Sequence, residues 1–545
     1  MASFKRLSLI LMTSCAGAAL SACDGATSVA SPGEGVVIVP APTPAPAPAP
    51  SPTPTPTPTP TTGPAAACPT NTGQALTDAG TIGNFRVCRI PALVTNTTLP
   101  AAAGVAYELN GRVNVGIDRG TTGTAGQSGN LTIEPGAVIF ANTTLTDPDY
   151  LIVNRGSTIN AQGTAARPII FTAQENLTGN VTDETEGLWG GVILAGRAPI
   201  ADCATGNDAG GTSTTCEATV EGTGNALYGG NAQGDSSGVF QYVQIRYSGT
   251  VIGGISGNEL QGLTLAGAGS GTVIDHVQVH NSSDDGIEIF GGTSNLRHLV
   301  ITGADDDSLD YDSGWRGFVQ FALLIQAQTI AAANDDAYAL EIDSNGNNDR
   351  LPRTYGRLAN FTAIHYGSSA GPGAAIRLRG GADTAFVNGI VVSPQACIQL
   401  LADTSDRSTV RPADAGLQDA GPPTFNSMFF QCSPFAIAGT RGSGASAVTI
   451  TASDAEALLT AGSSANNVAG GTNGVQNGFF PGSGATGVTP TNASTLPGNN
   501  GFLVNTSYIG AVSGSGDTWF QGWTCNSNRA NFGAASGNCT AVPST

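Results

Sequence analysis

Eight carboxylates stand between Asn281 and Gly314, in NSSDDGIEIFGGTSNLRHLVITGADDDSLDYDSG, against one Arg (Arg297) and one His (His298). Only 11% of the chain is charged, so the concentration asks for a cause. Paired carboxylates can serve as general acid and base, and grouped ones can hold a hard cation. The stretch also nearly repeats itself. Ile287-Glu-Ile-Phe returns as Leu309-Asp-Tyr-Asp 22 residues later, then as Leu340-Glu-Ile-Asp and Ile376-Arg-Leu-Arg.

If these segments are strands stacked in register, Glu288, Asp310 and Glu341 form one outward column, continued by Arg377. Asp312, Asp343 and Arg379 form a second column, which begins at Phe290. Turn residues Asp284, Asp285, Asp305, Asp306, Asp307, Asp335 and Asp336 surround the same edge. Carboxylates one rung apart repel, and a proton, a nearby Arg or a bound cation must offset that. An all-oxygen set suits Ca²⁺ best. The candidate ligands are therefore Asp284, Asp285, Glu288, Asp306, Asp307, Asp310, Asp312, Glu341 and Asp343. The competing reading is a solvated acidic face, since Asp also suits tight turns.

The elements that must position these residues follow from composition and period. The 545-residue chain holds 75 Gly and 31 Pro with few aromatics, which favours strands joined by tight turns. A second strand type begins at Tyr242, His276 and His298, again with a 22-residue step between the last two. Short strands at such a period predict an all-β fold, a right-handed parallel β-helix, in which no rung buries its apolar face alone. Residues 104–440 are assigned to this solenoid, 68–103 to an N-terminal cap and 441–545 to a C-terminal cap or irregular region. Asp454–Leu459 is the best helix former, and the Trp-bearing tail reads as a cap or docking segment.

Residues 1–22 read as a lipoprotein signal peptide, with Lys5 and Arg6 before an apolar run and Leu20-Ser21-Ala22-Cys23 as a lipobox. The match predicts lipid on Cys23 and membrane attachment through it. Residues 23–67 form a Pro-rich tether, and its Pro40–Pro60 portion in polyproline II would reach roughly 65 Å at about 3.1 Å per residue. Eight further cysteines fall into sequence-local pairs, Cys68–Cys88, Cys203–Cys216, Cys397–Cys432 and Cys525–Cys539, read as disulfides of an oxidising compartment. The net charge of −19 excludes nucleic acid as a partner.

Weaker candidates each have a plainer explanation. His276 and His280 share a strand face if alternation holds, and with His298 they could bind a metal, but solvent-facing strand histidines are the simpler reading. Trp189 reads as a core or rung-edge anchor. Gly267-Ala-Gly-Ser-Gly271 lacks the following helix that phosphate binding needs.

Trp189-Gly-Gly with Gly196-Arg-Ala-Pro-Ile200, Asn258-Glu-Leu-Gln-Gly-Leu-Thr-Leu265, Ser283-Asp-Asp-Gly-Ile-Glu-Ile-Phe-Gly-Gly-Thr293 and Asp305-Asp-Asp-Ser-Leu-Asp-Tyr-Asp-Ser-Gly314 resemble a family of Gram-negative cell-surface lipoproteins. The resemblance implies a β-helix at the outer membrane, in some cases accompanying a TonB-dependent receptor, and supplies no activity. In outline the acidic stretch also resembles polygalacturonase-type glycosidases. That likeness would place catalytic roles on Asp284, Asp306, Asp307, His365 and Arg377, although its Asn-x-Asp motif has an extra residue between Asn281 and Asp284 and Arg379 stands where Lys is usual. The function expected from sequence is a non-catalytic, Ca-stabilised binding or transporter-accessory module. The alternative is a polysaccharide-degrading enzyme, a hydrolase of that type or a Ca-dependent lyase with Arg377 as base.

Overall fold

The computed structural model describes residues 63–145, 148–207, 209–251, 259–327, 337–344, 349–367, 373–402 and 407–544. The signal peptide, Cys23, the tether up to residue 62 and the turn acids Asp335 and Asp336 lie outside the described residues.

Strands of the coil pair in parallel with their sequence successors, as the short period requires. Val273–His280 lies on Asn295–Thr302 with Val277 opposite Leu299. Ile287–Phe290 lies on Leu309–Asp312 with Ile287 opposite Leu309. Both registers carry the 22-residue step. Ile274, Val277, Val279, Ile287 and Ile289 point into one shared core, as do Leu296, Leu299, Ile301, Leu309 and Tyr311 on the next rung. At roughly 1.5–3 kcal/mol per buried aliphatic side chain, this core is the fold's main driving force. The structure is thus an all-β parallel β-helix, as the sequence predicts.

Parallel stacking begins earlier than residue 104. Phe85–Arg89 already pairs with Val105–Leu109, and Thr77–Ile82 covers it antiparallel at the coil's start. At the other end Ala452–Ala457 forms a helix with a Thr451/Asp454 capping box, and Ala455 and Leu458 close the core. The cysteines pair as Cys68–Cys88, Cys203–Cys216, Cys397–Cys432 and Cys525–Cys539.

The second strand type has a specific local cause. Tyr242, His276, His298, Phe321, Asn360, Asn388 and Ser427 all have φ between 52° and 63°. This left-handed bend is uncommon for residues other than Gly. Stacking repays it: the Tyr242, His276, His298 and Phe321 rings lie face to face at centroid distances of 4.3, 4.2 and 5.0 Å. The bend breaks alternation, so His276 and His280 do not share a face. His280 is buried and bonds Thr302, while Asp275 Oδ1 meets the Nδ1 atoms of His276 and His298 at 2.8 and 2.7 Å.

Beyond the closing helix, the tail runs back along the flank instead of staying at the end. Outward amides read its main chain rung by rung. Asn388 bonds both N–H and C=O of Thr491, Gln320 those of Val504, and Gln278 those of Cys525. The Gly104 N–H donates to the Ser544 carbonyl near the coil's start. Trp523, fully buried against the flank, anchors the strap. Trp523→Ala should remove about 3–5 kcal/mol of local stability. Limited proteolysis should then cut within 491–544 before the coil, and simultaneous digestion of both would refute a separately released strap.

Candidate metal centre

The columns are built by strand register. Thr264, Glu288, Asp310, Glu341, Arg377 and Gln399 are successive partners across five parallel pairings. Phe290 partners Asp312, and Asp343 and Arg379 follow on the next rungs, bonding by backbone N–H to Tyr311 and Ile342. The turns entering these strands stack as well. The Asp307 N–H donates to Asp285 Oδ1 at 2.9 Å, and the Gly286 N–H to the Asp307 carbonyl at 2.8 Å. Gly286 has no room for a side chain, since a Cβ would stand 2.4 Å from Ile301 Cγ2 and 2.7 Å from the Ser308 carbonyl oxygen.

Three groups of carboxylate oxygens lie within 4.8 Å of one another: Asp284, Asp285 and Asp306; Asp285, Glu288 and Asp310; Asp307, Asp310 and Glu341. Asp285 links the first two and Asp310 the last two. Most of these side chains are buried, Asp284, Asp285, Glu288, Asp307 and Glu341 being at most 8% exposed. Burial pushes Asp284, Asp285, Glu288, Asp307, Asp310 and Asp312 well above the usual carboxylate range. Neighbouring carboxylates add to it, Asp306 on Asp284 and Asp307, Glu341 on Asp310 and Asp343 on Asp312. Solvated acids on a polar face would not show this.

Basic charge closes one end. Arg379 Nε is 2.6 Å from Glu341 and 3.3 Å from Asp343, and Arg377 Nε is 3.5 Å from Glu341. Arg377 also bonds the Tyr338 hydroxyl at 2.9 Å. Upstream, one Oδ atom each of Asp310 and Asp312 is buried without a hydrogen-bond partner. Such an atom costs roughly 1–3 kcal/mol unless something binds it. Oxygen-only donors, close together and short of partners, fit a hard divalent cation.

His365 does not join this face. Its Nδ1 lies 2.8 Å from the Ser393 hydroxyl, its other polar partner is the Ala337 backbone, and burial lowers its pKa to about 4. Asn281 is likewise spent on the backbone, donating to the carbonyls of Asp183 and Thr185. The residues suggested by the glycosidase likeness therefore do not assemble as a set, though Asp284, Asp306, Asp307 and Arg377 border the carboxylate face. Trp189 is a core residue, its Nε1 donating to the Arg246 carbonyl at 2.9 Å.

Sequence reading passed over Glu221 and Gln261. Gln261 Nε2 bridges Glu221 at 2.8 Å and Asp284 at 3.3 Å, and burial raises Glu221 to about 7. Gln261 carried a signal, because it stands three residues before Thr264, the ladder position preceding Glu288. Glu221 arrives from a long insertion and carried none.

Coil and site together define a parallel β-helix with a cation-competent carboxylate face. The chain belongs to the pectate-lyase-like β-helix domain family, whose profile it matches over residues 95–431, more than half its length. No curated protein and no solved structure matches it. The family and the clustered acids overturn the expectation of a non-catalytic module.

Proposed function

We propose that the chain is a Ca²⁺-dependent enzyme acting on an acidic polysaccharide, by β-elimination at a uronate. The observation that carries this reading is the Glu288–Asp310–Glu341 column, continuous in register and ended by Arg377. A bare carboxylate face repels a polyuronate, and a cation between them reverses the sign of that interaction. When bound, Ca²⁺ would neutralise the uronate carboxylate and make the adjacent C–H more acidic. Asp284, Asp285, Glu288, Asp306, Asp307, Asp310 and Glu341 would hold it.

Arg377 is the group we assign to proton transfer, and Arg379 the one that keeps Glu341 and Asp343 oriented. In the elimination the base takes the proton from C5, the electron pair forms the C4–C5 double bond, and the C4–O bond to the next sugar breaks. A hydrolase is less favoured because His365 is committed elsewhere. Incubation with polygalacturonate and alginate should yield unsaturated uronates, lost with chelator and restored by calcium. Absence of both unsaturated products and new reducing ends from either polymer would refute the reading.

We also propose that the enzyme is a surface lipoprotein of the resembled family, tethered through Cys23. Its sequence support is the lipobox and the Pro-rich spacer, which would hold the active face clear of the membrane. Cys23→Ser should move the protein from the membrane fraction to the soluble fraction.

A further inference from the structure

In a chain of net charge −19, the buried arginines Arg155, Arg353 and Arg529 end on carboxylates, while Arg246 is spent on Gln244 and the carbonyls of Cys539 and Ala541. Arg316 and Arg357 depart from this. Neither forms an ion pair among the described residues. Arg357 lies over Phe318 and Tyr355, its Cζ 4.0 and 4.6 Å from their ring centroids, and Arg316 lies 5.6 Å from the Tyr355 centroid. Arg357 bonds the Gly317 carbonyl through Nε and Nη2, at 3.2 and 3.1 Å, and the Pro497 carbonyl through Nη1. Among the described residues Arg316 bonds only through Nη1, to the Arg353 carbonyl at 2.7 Å, which leaves its Nε/Nη2 edge toward the cavity.

Both line a cavity of about 290 Å³ with Gln233, Thr293, Asn295 and Asn500. A second cavity of about 180 Å³ shares Gln233, Thr293 and Arg316 with it and extends past Gly314 and Pro352. Among the described residues no Asp or Glu lines either one. Burial lowers the pKa of both arginines, that of Arg357 to about 10, so each gains from an anion. The groove adjoins the carboxylate face along the chain, since Gly314 and Arg316 follow Asp312 in one turn.

From these observations we infer that the Arg316–Arg357 groove is a second, cation-independent binding site for the anionic groups of a glycan chain, sugar carboxylates or sulfate esters. A guanidinium with a free edge beside neutral amides recognises either oxyanion through paired hydrogen bonds and the sugar hydroxyls through the amides. The choice of a glycan rests on the proposed function, while the anion site rests on the groove itself. A polymer held at the carboxylate face would continue into the groove, so the enzyme would favour long, unesterified substrates.

Calorimetric titration of the full chain tests this in an Asp310→Asn background, which keeps the ligand intact. Oligogalacturonate, its methyl ester and a sulfated galactan are the probes. Arg316→Gln should weaken binding of whichever anionic probe binds by at least tenfold with the melting temperature unchanged. Arg316→Lys should recover part of the loss, and the ester should not bind. The preferred anion tells carboxylate from sulfate. Equal affinity in Arg316→Gln, equal affinity for the ester, or no binding of either anion overturns the inference. A wild-type chain that binds through Arg316 but cleaves nothing would refute the enzyme and support the groove.

Discussion

Asp310→Asn is expected to lower calcium-dependent cleavage by at least about a hundredfold, the upper end of what loss of an outer-shell partner costs a metal site. Asp310 belongs to two of the three oxygen groups, and one of its oxygens is buried with no hydrogen-bond partner. Removing its charge therefore weakens two adjacent positions at once. The same change should not harm the fold. Burial and Glu341 already disfavour the ionised Asp310, so in chelator the variant should melt at or above the wild-type temperature. With calcium the order should invert, because only the wild type gains binding energy on folding. Melting curves with and without calcium check this. A variant less stable under both conditions, with cleavage intact, would mark Asp310 as part of a structural network.

Glu341 provides the contrast. It touches Arg379 at 2.6 Å and Arg377 at 3.5 Å, so its removal takes one carboxylate from each guanidinium, leaving Arg379 on Asp343 and Arg377 on the Tyr338 hydroxyl. Breaking a buried ion pair from one side costs several kcal/mol, even where replacing both partners would not. Neighbours on one column can thus carry opposite signs of stability effect.

What was legible in the sequence was whatever obeys the period. The 22-residue step puts Asp310 over Glu288, and strand alternation sends both outward, so the ladder follows from counting. Features that break the period were not legible. His276 looked like a face-mate of His280, but the left-handed bend at His276 cancels the alternation on which that rests. No local pattern marks Gln278, Gln320 and Asn388, because their partners lie more than a hundred positions away in the tail. Glu221 comes from an insertion whose path no local pattern records. The non-catalytic expectation rested on the lipoprotein resemblance, which carries no activity, and on the imperfect glycosidase motifs. The acids could be placed on one face by spacing, but their burial, which spacing alone does not show, sets them apart from solvated turn acids.

That burial makes stability depend on pH in an unusual direction. A carboxylate whose folded pKa is raised holds more protons in the folded than in the unfolded chain between its two pKa values. Stability then falls as pH rises through that interval. Asp284, Asp285, Glu288, Asp307, Asp310 and Asp312 all shift upward, with Glu221 at about 7. The interval therefore opens near the ordinary carboxylate value of about 4 and for Glu221 reaches about 7. In chelator the protein should melt higher at about pH 5 than at about pH 8, the reverse of a protein whose carboxylates are held by salt bridges. The proton acts there as a substitute for the cation. Saturating calcium should flatten or invert the slope, because a cation that binds the ionised ladder pulls those pKa values back down. Ladder and metal are thus coupled through one observable, the slope of melting temperature against pH at two calcium concentrations. If the two slopes coincide, no cation binds these carboxylates.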